Sequence, residues 1–166
     1  MKIVIGSDKS GFLLKEELKK HLIDQGHDIE DCGLTDPDGF KPYFEVAPVA
    51  ARKIQAGDAE RAILVCGTGA GMAIVANKFK GVYAVTVEGS YTSRMSRVIN
   101  QANVITMGGW VVAPQQAIDM VSRWLGAAFT EGFPEDRQKF LCNAFQQVGR
   151  IEDENFIDPA VQNIGD

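Results

Sequence analysis

The sequence predicts an α/β protein, a doubly wound, Rossmann-like parallel sheet of five strands with helices on both faces. Two observations carry this. Short apolar, β-branched runs such as "KIVIG", "AILV" and "NVITM" recur along the chain, and strands buried on both faces read in this way. Helix-like stretches separate them, and such alternation means parallel strands joined by helical crossovers. The chain of 166 residues is long enough for one domain with a sizeable core.

The elements follow in order. "KIVIGSD" reads as a first strand that turns at Gly6. "GFLLKEELKKHLIDQG" reads as a helix, with Phe12, Leu13, Leu14, Leu18, Leu22 and Ile23 on one stripe and Gly26 as its stop. "HDIEDCG" is a short second strand, and "LTDPDGFKPYF" is loop, which places Tyr43 after a proline in a loop. "EVAPVAARKIQAG" is helical, with Pro48 expected near the first turn. "RAILVCG" is the third strand, followed by a glycine turn and the helix "GMAIVANKF". "GVYAVTV" is the fourth strand and "YTSRMSRVINQA" a helix. "NVITMGG" is the fifth strand, and "APQQAIDMVSRWLGAAF" a helix with Pro114 near its start. "EGFPEDRQKFLCNAFQQVGR" is one more helix. Residues 1–150 are expected to form a single domain, and residues 151–166 a C-terminal extension packed on a neighbouring subunit.

Composition narrows the function classes. The chain is 45% hydrophobic and 23% charged, with a net charge of -5, which argues against nucleic acid as a partner. No apolar run approaches the roughly 20 residues that span a bilayer, and "MKIVIGSDKSG" lacks the long apolar region of a signal peptide. Cys32, Cys66 and Cys142 are neither paired in number nor spaced as a zinc knuckle. A reducing cytoplasm is the expected location.

In a doubly wound sheet, ligands bind beyond the carboxyl ends of the strands. Gly6 to Gly11, Cys66 to Gly71 and the turn after Thr106 should converge there. "CGTGAG" reads either as a cradle whose backbone N–H groups hold an anion or as the tight connection a strand and helix need. It is not a Walker loop, because no Gly-Lys-Ser/Thr follows. Cys66, at a strand end beside a helix start, is a nucleophile or general base if functional and a small core residue if not. Histidines occur only at positions 21 and 27, so no Cys–His pair is evident nearby in sequence. Asp8 and Lys9 leave the first strand, where a carboxylate can orient hydroxyls and an ammonium can meet a phosphate, or both can be solvated. Thr68 offers a hydroxyl or a helix cap. Asn100 and Asn103 suit helix ends.

Together, "IGSDKSGFLLKEELKKHL", "CGTGAGMAIVANKFKGVYA" and "SRVINQANVITMG" resemble the sugar-phosphate isomerases of the type B ribose-5-phosphate isomerase and galactose-6-phosphate isomerase family, over about residues 1–145. The resemblance implies a dimer, often paired into tetramers, with sites at the subunit interface. It implies aldose–ketose interconversion of a phosphorylated sugar through a cis-enediolate, without metal or cofactor. Carried over by motif, Cys66 is the base, and Thr68 assists proton movement. Gly67, Gly69, Ala70 and Gly71 belong to the oxyanion cradle. Asp8, Tyr43 and Asn100 hold the substrate. Lys9 and Arg137 meet the phosphate, Arg137 by reaching into the partner subunit's site.

Three departures accompany the resemblance. Ile99 stands where most pentose and hexose members carry the histidine that opens the cyclic sugar, and isoleucine cannot transfer a proton. Lys9 replaces a common histidine. Phe133 and Pro134 occupy the stretch where a basic residue usually precedes Arg137. The expected substrate is therefore a short or acyclic sugar phosphate, such as erythrulose 4-phosphate interconverting with erythrose 4-phosphate. The alternatives are a ribose-5-phosphate or hexose-6-phosphate isomerase, a lyase or epimerase using the same intermediate, and a non-catalytic sugar-phosphate binder.

Overall fold

The computed structural model describes residues 1–156. Five parallel strands, β1 (Lys2–Ser7), β2 (Asp28–Asp31), β3 (Arg61–Cys66), β4 (Ala84–Thr86) and β5 (Val104–Gly108), form one sheet in the order β2-β1-β3-β5-β4. Six helices accompany them: α1 (Phe12–Asp24), α2 (Tyr43–Ala56), α3 (Ala70–Ala76), α4 (Ser90–Asn100), α5 (Pro114–Leu125) and α6 (Glu135–Asn155). A single 3-10 turn, Lys9–Gly11, leads into α1. The winding reverses beside β1: the chain moves outward to β2, then crosses back over β1 to β3. The ends of β1 and β3 are therefore a topological switch point.

The side-chain period of two divides the core between the sheet's faces. Val4, Ala62, Leu64, Cys66 and Val104 pack with α2 and α3, through residues such as Val46, Ala50 and Met72. Ile3, Ile5, Ile63, Val65, Ile105 and Met107 face α1 and α5, through Leu14, Leu18, Met120 and Trp124. The strands are apolar throughout because helices cover both faces.

Several elements differ from their sequence reading. In α1 the buried positions are Leu14, Lys15, Leu18 and Leu22, while Leu13 and Ile23 are exposed. Adjacent residues on a helix point about 100° apart, so Phe12, Leu13 and Leu14 cannot share one stripe. Lys15 takes an interior place because its ammonium donates to Asp31 Oδ2 at 2.7 Å and to the Leu34 carbonyl at 2.6 Å. Tyr43 is the first residue of α2 rather than a loop residue, and Pro48 lies inside the helix beyond its first turn. Its missing N–H leaves the Phe44 carbonyl, one turn back, without that helical donor.

The boundary expected at residue 150 falls within α6. Glu152 accepts hydrogen bonds from Gly81 N–H at 2.7 Å and Tyr83 Oη at 3.0 Å, tying this stretch to its own subunit. The rest of the expected extension, residues 157–166, lies outside the described residues. Among the described residues, no helix is long and apolar enough to cross a membrane.

Candidate active site

At the switch point, β3 delivers Cys66 to the sheet's carboxyl edge. The residue is almost buried, at 5% exposure, and its sulfur accepts a hydrogen bond from Gly69 N–H at 3.1 Å. The turn over Gly67, Thr68 and Gly69 then enters α3. Gly69 adopts φ +84°, ψ −29°, in the left-handed region, and caps the helix. An added Cβ there would meet the Met107 backbone at 2.9 Å, so both conformation and close approach select glycine.

Thr68 is exposed, and no side-chain hydrogen bond caps α3, so the capping role considered for Thr68 is not the one it plays. Among the described residues, the N–H groups of Gly67, Thr68, Ala70 and Gly71 donate to no protein acceptor. A turn with unclaimed donors beside a sulfur can bind an oxyanion while the sulfur moves a proton.

Neighbouring loops complete the rim. Asp8 N–H bonds to the Val65 carbonyl at 3.3 Å, setting Asp8 beside the end of β3. Its Oδ1 accepts from Gly11 N–H at 3.1 Å. Burial raises the Asp8 carboxyl above its ordinary value, while backbone hydrogen bonds from Gly11 and Ser10 pull the other way. Lys9 is exposed and pairs with no carboxylate among the described residues. Tyr43 reaches the site because α2 starts at this edge, and its ring lies 3.0 Å from where a Cβ on Gly71 would stand.

Trp110 was missed in the sequence. Gly109 N–H donates to the Cys66 carbonyl at 2.8 Å, and Trp110 N–H to the Gly67 carbonyl at 3.1 Å. These bonds pin the turn after β5 onto the turn after β3 and set the indole against Gly67. The signal available was its place at the end of the fifth strand, in "MGGWVV".

Asn100 and Arg137 lie elsewhere in the chain. α4 ends where β5 begins, whereas Cys66 pairs with the last residue of β5, Gly108. Traversing the strand from Val104 to Gly108 alone separates them by roughly 13 Å. Asn100 and Ile99 instead line a cleft of about 260 Å³ with Asn77, Tyr83, Phe145 and Val148. Arg137 lies on α6, with its guanidinium 4.8 Å from the Phe140 ring centroid and 6.0 Å from that of Phe133. Among the described residues, no cluster of three or more His, Cys, Asp or Glu side chains is arranged to hold a metal.

The fold and this edge define a class: a doubly wound α/β protein with a thiol facing unclaimed backbone donors at the switch point. The chain belongs to the ribose/galactose isomerase family, whose model matches residues 3–141, and it is an enzyme of the isomerase class.

Among its relatives is a 4-deoxy-4-sulfo-D-erythrose isomerase of Clostridium sp. (strain MSTE9), 56% identical over 153 residues, which cover 92% of this chain and 96% of that protein. A D-erythrulose-4-phosphate isomerase 2 of Mycolicibacterium smegmatis is 45% identical over 131 residues, covering 78% of this chain and 86% of that protein. Ribose-5-phosphate isomerase B from Mycoplasma genitalium, solved with bound ribulose-5-phosphate, superposes with a TM-score of 0.83 at 30% identity, over 93% of this chain and 97% of that one.

Proposed function

We propose that this chain interconverts an aldose and a ketose of four carbons bearing a terminal anion on C4, through a cis-enediolate and without a cofactor. Cys66 takes a proton from C2 of the aldose and returns it to C1. The N–H groups of Gly67, Thr68, Ala70 and Gly71 receive the negative charge on the oxygen at C1. Thr68 Oγ1 passes the hydroxyl proton between the two oxygens, and Asp8 and Tyr43 fix the sugar. Asn100 and Arg137 act on the site of a second copy of the chain, because within one chain β5 separates Asn100 from Cys66. A dimer is the smallest assembly that meets this requirement. The domain extends through α6.

The observation that carries the substrate class is Ile99. Five- and six-carbon sugar phosphates can enter as rings, and opening a ring needs a group that exchanges protons. Ile99 cannot. The chain's histidines line a different cleft from Ile99, with Leu22, Gln25, Ser122 and Leu125. A tetrose substituted at C4 has no free hydroxyl there to close a five-membered ring, so it needs no opener. The names of the two tetrose-isomerising relatives support the same substrate size.

A C4 sulfonate is the first reading of the anion. A sulfonate carries one charge, whereas a phosphate monoester carries about −1.5 to −2 near neutrality. Phe133 and Pro134 in place of a basic residue suit the smaller charge, and the 56%-identical relative is named for a sulfonated tetrose. A C4 phosphate is the second reading, favoured by exposed Lys9, which pairs with no carboxylate among the described residues, and by the M. smegmatis relative's name.

The test is a panel of 4-deoxy-4-sulfoerythrose, erythrose 4-phosphate, ribose 5-phosphate and allulose 6-phosphate, followed by NMR for aldose–ketose exchange. The four-carbon compounds should turn over fastest, with the sulfonate ahead. Faster turnover of ribose 5-phosphate than of either tetrose overturns the Ile99 argument.

A further inference from the structure

Trp110 sits at the mouth of the cradle with no role in the chemistry above. It is 75% exposed, whereas Trp124, the chain's other tryptophan, is fully buried. A solvent-facing indole is ordinarily free to turn away. Here its backbone is fixed, because Trp110 N–H donates to the Gly67 carbonyl and Val111 and Val112 N–H both donate to the Gly108 carbonyl. The ring rests on Gly67: a Cβ at that position would lie 2.7 Å from Cζ3 and 2.8 Å from Cε3. At the other end of the cradle, the Tyr43 ring rests on Gly71 in the same way. A substrate seated on the unclaimed N–H groups beside Cys66 would therefore occupy a slot between two aromatic rings.

We propose that Trp110 determines chain-length specificity: its indole walls the Gly67 end of the slot and excludes open-chain sugars longer than four carbons. The proposal rests on the four-carbon reading above and adds a cause separate from Ile99. Ile99 bears on rings, whereas Trp110 bears on length. An aromatic wall on a backbone pinned to Gly67 gives a sharp limit, because lengthening the substrate pushes either the ring off its glycine or the reacting carbons away from Cys66. Covering the indole also keeps water from the enediolate oxygen.

Ribulose 5-phosphate separates the two causes, since with O5 esterified it has no five-membered ring to open and differs from erythrulose 4-phosphate by one carbon and its hydroxyl. The ratio of kcat/KM for erythrulose 4-phosphate to that for ribulose 5-phosphate is measured in the wild type, Trp110→Ala and Trp110→Phe. One carbon at a shaped pocket is worth about 10–200-fold. The ratio should fall by about that factor in Trp110→Ala and by less in Trp110→Phe, while ribose 5-phosphate, which enters as a ring, stays poor in all three. A ratio within about twofold of wild type in Trp110→Ala overturns the proposal.

A wild type inactive on both four-carbon anions refutes the proposed function instead, so the two failures are distinguishable. A binding measurement stands apart from turnover. Trp110 emission should become protected from acrylamide quenching as erythrulose 4-phosphate saturates the enzyme, over the constant signal of buried Trp124. Trp110→Phe should lose that protected component. Unchanged quenching at saturating ligand also overturns the proposal.

Discussion

Replacing Gly69 by alanine probes the cradle through two separable costs. At φ +84° the residue lies in the left-handed region, where an L side chain costs about 1–2 kcal/mol. The new methyl would also stand 2.9 Å from Met107 C and Cα and 3.0 Å from its N, against the backbone of the interior strand β5. Overpacking of this kind costs about 1–3 kcal/mol, which brings the sum to roughly 2–5 kcal/mol. A domain's whole stability is about 5–15 kcal/mol. At about 2–4 °C per kcal/mol for a chain of this size, the melting temperature should drop by roughly 4–20 °C.

Gly26→Ala is the control. Its φ is +80° with nothing within 4 Å, so only the conformational cost applies. Thermal unfolding of the wild type and both variants separates the terms. Displacing the Gly69 N–H from Cys66 Sγ should also lower kcat by about tenfold or more in the folded Gly69→Ala protein. Should Gly69→Ala melt no earlier than Gly26→Ala and keep the wild-type kcat, the close approach to Met107 and its part in the cradle are refuted.

Other perturbations address other parts of the account. Gly67→Ala sets a methyl 2.7 Å from the Trp110 indole and displaces the wall of the cradle, so kcat/KM should fall more than stability does. Trp110→Ala in that background should recover part of the loss, and a double-mutant cycle reads the coupling. Asp31→Asn should cost about 1.5–3 kcal/mol in denaturant unfolding, because it removes one of the two carboxylates paired with the fully buried Lys15 and leaves only the partly exposed Glu16. Burial alone would raise the Asp31 carboxyl, but hydrogen bonds from Lys15, Lys19 and Gly33 N–H outweigh it and hold the group below its ordinary value. Its contribution is therefore complete above about pH 4 and lost as pH falls through the lower folded value, and Asp31→Asn should lack this component of acid unfolding. Burial, followed by the bond to Glu152, pushes the Tyr83 hydroxyl up to about 12. The stabilisation it marks is full below about pH 10 and fades as pH rises towards the folded value, and Tyr83→Phe, at about 1 kcal/mol, should flatten that alkaline loss.

The apolar runs made the sheet legible, because strands covered on both faces leave little room for polar residues. Cys66 and its glycines were legible because a strand-to-helix turn at the sheet's carboxyl edge is where such a fold exposes backbone donors. Trp110 was harder to see. Its place depends on two hydrogen bonds between turns that are far apart in sequence, and an exposed tryptophan in a list of residues carries no address. Lys15 reads as surface until Asp31 and Leu34 are seen to meet it. Pro48 reads as a first-turn residue until α2 is seen to begin at Tyr43. Ile99 was visible as a departure only against the family resemblance, since periodicity alone makes it one more apolar residue on a helix.

The most direct test of the central claim is deuterium exchange into the four-carbon substrate in D₂O, by wild type and Cys66→Ala. Cys66 as the proton carrier predicts that wild type gains deuterium at the reacting carbons as it isomerises. Cys66→Ala should lose exchange and isomerisation together by about 10²–10⁴ while remaining folded. Exchange by Cys66→Ala within about tenfold of wild type would contradict the claim and give the proton to another group.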